Sequence, residues 1–209
     1  MTKKEQRQFI FEYINQLFPN ASCELNYSKD YEFVIAVMLS AQTTDKAVNR
    51  VTAILFSKFD TLEKLAKADL FEIEDCIRSI GLYKVKAKNV LEISKRILNE
   101  FNGVVPSDKI LLMTLPGVGN KTAGVVRAEL FEGLELPVDT HVFRVSKRLG
   151  FTTAKDDVLD TERKLKRIIP KKDWVKVHHQ FIHFGRYFCT AKNPKCSECK
   201  LRDICNFKN

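Results

Sequence analysis

From Lys3 to Phe18, the residues Phe9, Ile10, Tyr13, Ile14 and Leu17 recur on one helical face, and Pro19-Asn20 ends the run. The pattern predicts an amphipathic helix over 3–18. A second helix is predicted from Asp30, read as its N-cap, with Phe33, Val34, Val37, Met38 and Ala41 turned inward, and a third from Asp45 through Val48, Val51, Ile54 and Leu55. Polar Ser40-Ala41-Gln42-Thr43-Thr44 separates them and offers Thr44 or Asp45 as a cap. Short helices follow over 62–66 and 70–80, each opened by Thr or Asp, and Gly81 closes the second. Gly81-Leu82-Tyr83-Lys84-Val85-Lys86-Ala87 leads into a long helix to Phe101 whose inward face carries Val90, Leu91, Ile93, Ile97 and Leu98. Pro106-Ser107-Asp108 opens a helix over 109–114. Beyond Gly133, Glu135-Leu136-Pro137-Val138 cannot continue a helix, and the last helices are predicted over 139–149, 156–169 and 173–188. No two-residue alternation recurs along the chain, so the predicted class is all-α.

Leu115-Pro116-Gly117-Val118-Gly119 places two glycines two residues apart, directly before a predicted helix over 120–130 with Ala123, Val126 and Leu130 apolar. A tight helical hairpin is expected there. Main-chain N–H groups at the start of the second helix lack intrahelical partners and sit at the positive end of its dipole, where a phosphate fits. An ordinary turn with a C-cap glycine has the same pattern. Lys121, two positions past Gly119, and Asp139, in Val138-Asp139-Thr140-His141, extend the reading toward catalysis; their plainer roles are a phosphate contact and an N-cap over Val142. Gly81, Ala87 and Val90 match Gly117, Ala123 and Val126 at one constant offset. A degenerate second hairpin with Leu82-Tyr83 at its tip is therefore predicted.

The chain has 209 residues and is 44% hydrophobic, enough for a substantial core in one large or two small domains. Lysine and arginine total 35 against 26 aspartate and glutamate, a net charge of +9, which fits a polyanionic partner without being unique to one. There is no apolar run of about 18 residues to span a bilayer, and MTKKEQRQF lacks an apolar signal core, so a cytoplasmic protein with no membrane partner is expected. His179 and His183 form an i, i+4 pair, but position 180 is Gln and no HExxH pattern exists. Surface or capping roles are expected for these two and for His141 and His178.

Cys23 and Cys76 stand alone and are read as reduced thiols, whereas Cys189, Cys196, Cys199 and Cys205 follow C-x6-C-x2-C-x5-C. Four thiolates this close can surround zinc or an iron–sulfur cluster, or form two disulfides. Structural zinc usually draws two separated ligand pairs, and only one C-x2-C is present here, so the wider spread favours a larger centre. Lys192, Lys195, Lys200, Arg202 and Lys208 surround the cysteines and could grip phosphates once the loop is ordered; a solvated basic tail is the alternative.

Together LPGVGNKTA, VDTHVFRV, LSAQTTD (Leu39–Asp45), GLYKVKA (Gly81–Ala87) and the cysteine run resemble the endonuclease III family of DNA glycosylase/lyases in the helix-hairpin-helix superfamily, in the same order and over essentially the whole chain. The resemblance implies a six-helix barrel domain over 23–132 and a discontinuous helical domain from 1–22 and 133–209, with the groove between them. It implies a [4Fe–4S] cluster on the four cysteines. The partner would be double-stranded DNA containing a damaged base or abasic site, bound by a nucleoid-associated monomer. Gln42 would fill the space left by a flipped nucleotide, Leu82 would wedge into the duplex, and Leu115, Gly117, Val118, Gly119 and Lys192 would contact DNA.

By the same resemblance, the activity is removal of oxidised or saturated pyrimidines followed by strand cleavage. Lys121 would attack C1′ and form a Schiff base, and Asp139 would stabilise charge on the sugar or handle protons. An amine is required because an imine acidifies the neighbouring C–H. The mismatch adenine glycosylases share the hairpin and cluster but lack the lysine and carry a carboxylate just before the Val-Met-Leu stretch; here that position is Ala36. The alternative from another class is a DNA-binding module without catalysis. A pure phosphate clamp would gain nothing from Asp139.

Overall fold

The computed structural model describes residues 1–131 and 135–207. Gly133, expected at the domain boundary, and Lys208, expected beside the cysteines, lie outside the described residues. Among the described residues every regular element is helical and no strand occurs. No helix there is long and apolar enough to cross a membrane. The chain divides into two compact units, a continuous one of Glu24–Gly133 and a discontinuous one of Met1–Cys23 with Leu134–Asn209.

The continuous unit is built around α2 (Asp30–Leu39), whose residues from Tyr31 to Leu39 are all buried. Phe33, Val34, Val37 and Met38 are inward as expected, but Ile35, Ala36 and Leu39 are also at 0% exposure, while Ala41, expected inward, lies outside the helix and is exposed. A helix apolar all round belongs inside a shell. That shell comprises α3 (Asp45–Lys58), α4 (Leu62–Ala66), α5 (Leu70–Ile77), α6 (Tyr83–Glu100), α7 (Lys109–Met113) and α8 (Asn120–Leu130). α3, α6 and α8 pack directly on α2. Ile54, expected inward, is instead exposed. Asp30 is the first helical residue of α2 rather than its cap; Glu32 reaches back to the N–H groups of Ser28 at 2.8 Å and Lys29 at 3.2 Å, meeting donors that the helix itself cannot. Thr44, Thr61, Asp69 and Asp108 cap α3, α4, α5 and α7 through their side chains. Each such cap contributes about 1 kcal/mol.

In the discontinuous unit, α1 (Lys3–Leu17) packs on α11 (Trp174–His183). Ile10, Tyr13 and Ile14 join Val142, Val145, Leu165, Phe181 and Phe184 in one core. Buried Gln180 closes the pair by donating to Asn15 Oδ1 at 2.9 Å and to the Phe18 carbonyl at 3.2 Å. α9 (Thr140–Arg148) and α10 (Val158–Ile168) complete the set. The last predicted helix does not run straight to Phe188. After His183 the backbone widens into a π-helical turn, Phe184–Phe188, closed by Cys189 N–H on the Phe184 carbonyl at 2.6 Å. The Gly185 carbonyl there accepts from Arg144 Nη2 at 2.8 Å. His178 and His179 are buried, at 3% and 8% exposure, and so are core residues rather than surface ones.

Candidate functional site

The hairpin between α7 and α8 turns at Gly117, whose φ is +75°. A Cβ at Gly117 would lie 2.7 Å from Asn89 Nδ2 and 3.0 Å from Met38 Cγ, so both the conformation and the close approach require glycine. Gly119 is not strained: its backbone is extended, with φ −89° and ψ −178°, and a Cβ there would meet open space. Leu115 and Val118 are buried at 2% and 4% exposure, and their N–H groups donate within the turn, to the Leu112 and Leu115 carbonyls at 3.1 Å each. Lys121 lies exposed in the first turn of α8. No side chain caps α8. α3, α4, α5, α7, α9 and α10 all have one. Its N-terminal donors are left for an external acceptor.

The first hairpin precedes α6, which is likewise without a side-chain cap. The left-handed residue there is Leu82, at φ +59°, and not Gly81, so the constant offset fails at the turn itself. Leu82 is 66% exposed. Among the described residues only Gln42, Leu82 and Asn102 have positive φ without being glycine, and Gln42, at φ +55°, is also exposed. Such a conformation costs on the order of 1–2 kcal/mol for a residue bearing a Cβ. Two of the three residues that bear it are thus the ones singled out as entering the duplex. Next to them Lys86, buried at 5% exposure, donates its ammonium to oxygens on both sides of Gln42.

In the discontinuous unit Asp139 caps α9: its Oδ1 accepts from Val142 N–H at 2.7 Å, leaving the carboxylate half-buried and fixed in direction. The following turn carries His141, whose pKa is lowered by burial although the Asp139 carboxylate opposes the shift.

Cys189, Cys196, Cys199 and Cys205 all line one small cavity of about 20 Å³, walled by Leu149, Phe184, Phe188 and Phe207. Burial raises the thiol pKa of Cys199 and Cys205, and the neighbouring cysteines add to the shift. A bound cationic centre removes both penalties, so the donor set fits one. Sequence reasoning missed the arginines beneath it. Arg148, 8% exposed, donates to Cys189 Sγ at 3.2 Å, to the Thr190 carbonyl at 2.7 Å and to the Ala191 carbonyl at 3.1 Å. Arg144 bonds the Gly185 carbonyl and, at 3.4 Å, the Cys189 carbonyl. Their i, i+4 spacing on the helix after Asp139 was the available signal. Lys192, Lys195, Lys200 and Arg202 are exposed around the loop.

Residues 35–171 match the family model described as HhH-GPD superfamily base excision DNA repair protein. Residues 189–205, which include all four cysteines, match the iron-sulfur binding domain of endonuclease III. The chain is 48% identical to endonuclease III of Bacillus subtilis (strain 168), over 98% of this chain and 94% of that one. With endonuclease III of Escherichia coli (strain K12) the identity is 39%, covering 98% and 97%. The structure of a trapped endonuclease III–DNA covalent intermediate superposes with a TM-score of 0.92 at 46% identity, covering 99% of this chain and 97% of that one. A thermostable thymine-DNA glycosylase, 22% identical, shares the fold at a TM-score of 0.84, covering 97% of this chain and 96% of that one. The chain belongs to the endonuclease III family of base excision repair enzymes, DNA glycosylases that also cleave abasic sites as lyases.

Proposed function

We propose that the substrate is duplex DNA carrying an oxidised or saturated pyrimidine, or the abasic site left by its removal, and that Lys121 is the nucleophile. The observation that carries this reading is Lys121 itself, exposed in the first turn of an uncapped helix and two residues past Gly119. In the proposed reaction the amine attacks C1′, the glycosidic bond breaks and the base leaves with that electron pair and a proton. The lysine-bound sugar then opens as its C1′–O4′ bond breaks and O4′ takes a proton, and the iminium so formed acidifies C2′–H, whose loss expels the 3′ phosphate. Asp139, held by its bond from Val142, stabilises positive charge on the sugar or moves protons. The main-chain donors of Gly117 and Gly119 and exposed Lys192 hold phosphates, Gln42 fills the vacated stack and Leu82 wedges the duplex. The enzyme is read as a cytoplasmic, nucleoid-associated monomer.

The cysteine site is proposed to hold a [4Fe–4S] cluster. Among the described residues no three His, Cys, Asp or Glu side chains converge closely enough for a single ion, yet all four cysteines ring one cavity. A cluster whose ligands attach to separate irons suits that spread. Its proposed role is to organise a loop with little regular structure of its own. Purified protein should contain about four irons per chain with visible absorbance; one zinc and no colour would count against the cluster.

Borohydride added during turnover should link the protein covalently to lesion DNA, because it reduces an imine. Lys121→Gln should keep lesion binding but lose trapping and strand cleavage. Asp139→Asn should keep the cap, since Asn caps about as well as Asp, and lose rate by orders of magnitude. Base removal by a wild-type protein that cannot be trapped would instead assign the attack to water activated by Asp139.

A further inference from the structure

Lys86 has no part in the roles described above, yet its burial and bonding are those of a built feature. It lies on the inward stripe of α6, in line with Val90, Ile93 and Ile97. Its ammonium donates to the Leu39 carbonyl at 2.8 Å, the Ala41 carbonyl at 2.9 Å and Thr43 Oγ1 at 2.8 Å. An ammonium has three protons, and these oxygens use all of them. All three acceptors are uncharged, so the lysine is desolvated without a carboxylate among them, and burial lowers its pKa. Closing the end of α2 needs only the bond to Leu39. The other two acceptors flank Gln42.

Strained residues persist only where their surroundings over-determine them. Gln42 is exposed and left-handed; a turn bond from Thr43 N–H to the Ser40 carbonyl at 3.1 Å closes over it, and the Lys86 bonds to Ala41 before it and Thr43 after it fix that turn against α6. Through its backbone, the same residue donates N–H to the Leu82 carbonyl at 3.0 Å, closing the first turn of α6 onto the other exposed left-handed residue. One lysine therefore joins the segment bearing Gln42 to the segment bearing Leu82.

We propose that Lys86 is a positioning residue, a clamp that holds Gln42 in its inserting conformation and in fixed relation to the Leu82 tip, so that both meet the duplex as one preorganised fork. This rests on the reading of Gln42 as plug and Leu82 as wedge.

The test is a double-mutant cycle in single-turnover base excision, on a duplex bearing one oxidised pyrimidine opposite 2-aminopurine, whose fluorescence reports unstacking. Lys86→Met should slow excision about tenfold and the milder Thr43→Val about threefold, with a reduced fluorescence rise. Affinity for undamaged duplex and its salt dependence should stay at the wild-type level, because phosphate contacts carry them. In a Gln42→Ala background neither change should slow the reaction further. Losses that multiply, or wild-type rates for both single variants, would overturn the clamp. If Lys86→Met fails to fold, the Thr43→Val cycle decides the same question. Wild-type rate and fluorescence for Gln42→Ala alone would instead overturn the plug, and the clamp's function with it.

Discussion

The two hairpins of the continuous unit begin alike and turn differently. Ala87 and Ala123, and likewise Val90 and Val126, sit at 0% exposure at matched positions, so both second helices press onto the core through the same small and branched residues. Both helices also start without a side-chain cap. At the turns the likeness ends: Gly117 has the left-handed backbone in one, and exposed Leu82 has it in the other. A glycine turn brings main chain close to its neighbours and presents N–H donors, which suits a phosphate. A leucine turn accepts strain to present an apolar side chain, which suits a gap between bases. One supersecondary unit thus supplies a grip and a probe by moving its left-handed residue.

Substitutions at the turns can break this contrast. The largest effect is expected at Gly117→Ala, where a Cβ must adopt φ +75° and crowd Asn89 and Met38; urea unfolding should show a loss of about 2–3 kcal/mol. Gly81→Ala, with nothing within 4 Å of its Cβ, serves as the foil and should unfold like the wild type. If both variants lose equal stability, the turns are not distinct. Next comes Gly119→Ala, which has space and an ordinary φ and should fold normally, yet bind undamaged duplex about tenfold more weakly because a methyl keeps phosphate from the main chain. Unchanged affinity would remove the phosphate from this hairpin. The smallest effect belongs to Leu82→Asn. Asn tolerates the left-handed region, so stability should rise by about 0.5–1 kcal/mol while base excision slows, and a gain in both would deny Leu82 the wedge.

What could be read beforehand follows the same division. Helix positions, the cap at Asp139 and the four-cysteine loop were visible because each rests on local rules: periodicity, a short polar side chain before a helix, ligand spacing. The turn geometry was not, since Gly81 aligned with Gly117 while the strain fell one residue later, on Leu82. Lys86 and Arg148 were overlooked for a related reason. Each is a cation most of whose partners are main-chain carbonyls from distant segments, and carbonyls leave no mark in the residue alphabet. Lys86 did leave one trace, as a charge on the apolar stripe of α6. A lysine in that place asks for acceptors to be found.

The complete burial of α2 also bears on how the chain survives before it is folded. Phe33-Val34-Ile35-Ala36-Val37-Met38-Leu39 is an uninterrupted apolar run rich in branched residues, without proline or charge. Outside its shell such a run pairs with copies of itself as readily as it forms a helix. Lys29, Asp30 and Glu32 on one side, and the polar residues from Ser40 to Asp45 on the other, flank it as gatekeepers. α3, α6 and α8, which cover it, all lie later in the chain, so a ribosome releases the sticky segment well before it releases the cover. For this unit, expression temperature and chaperone supply should govern soluble yield more than final stability does.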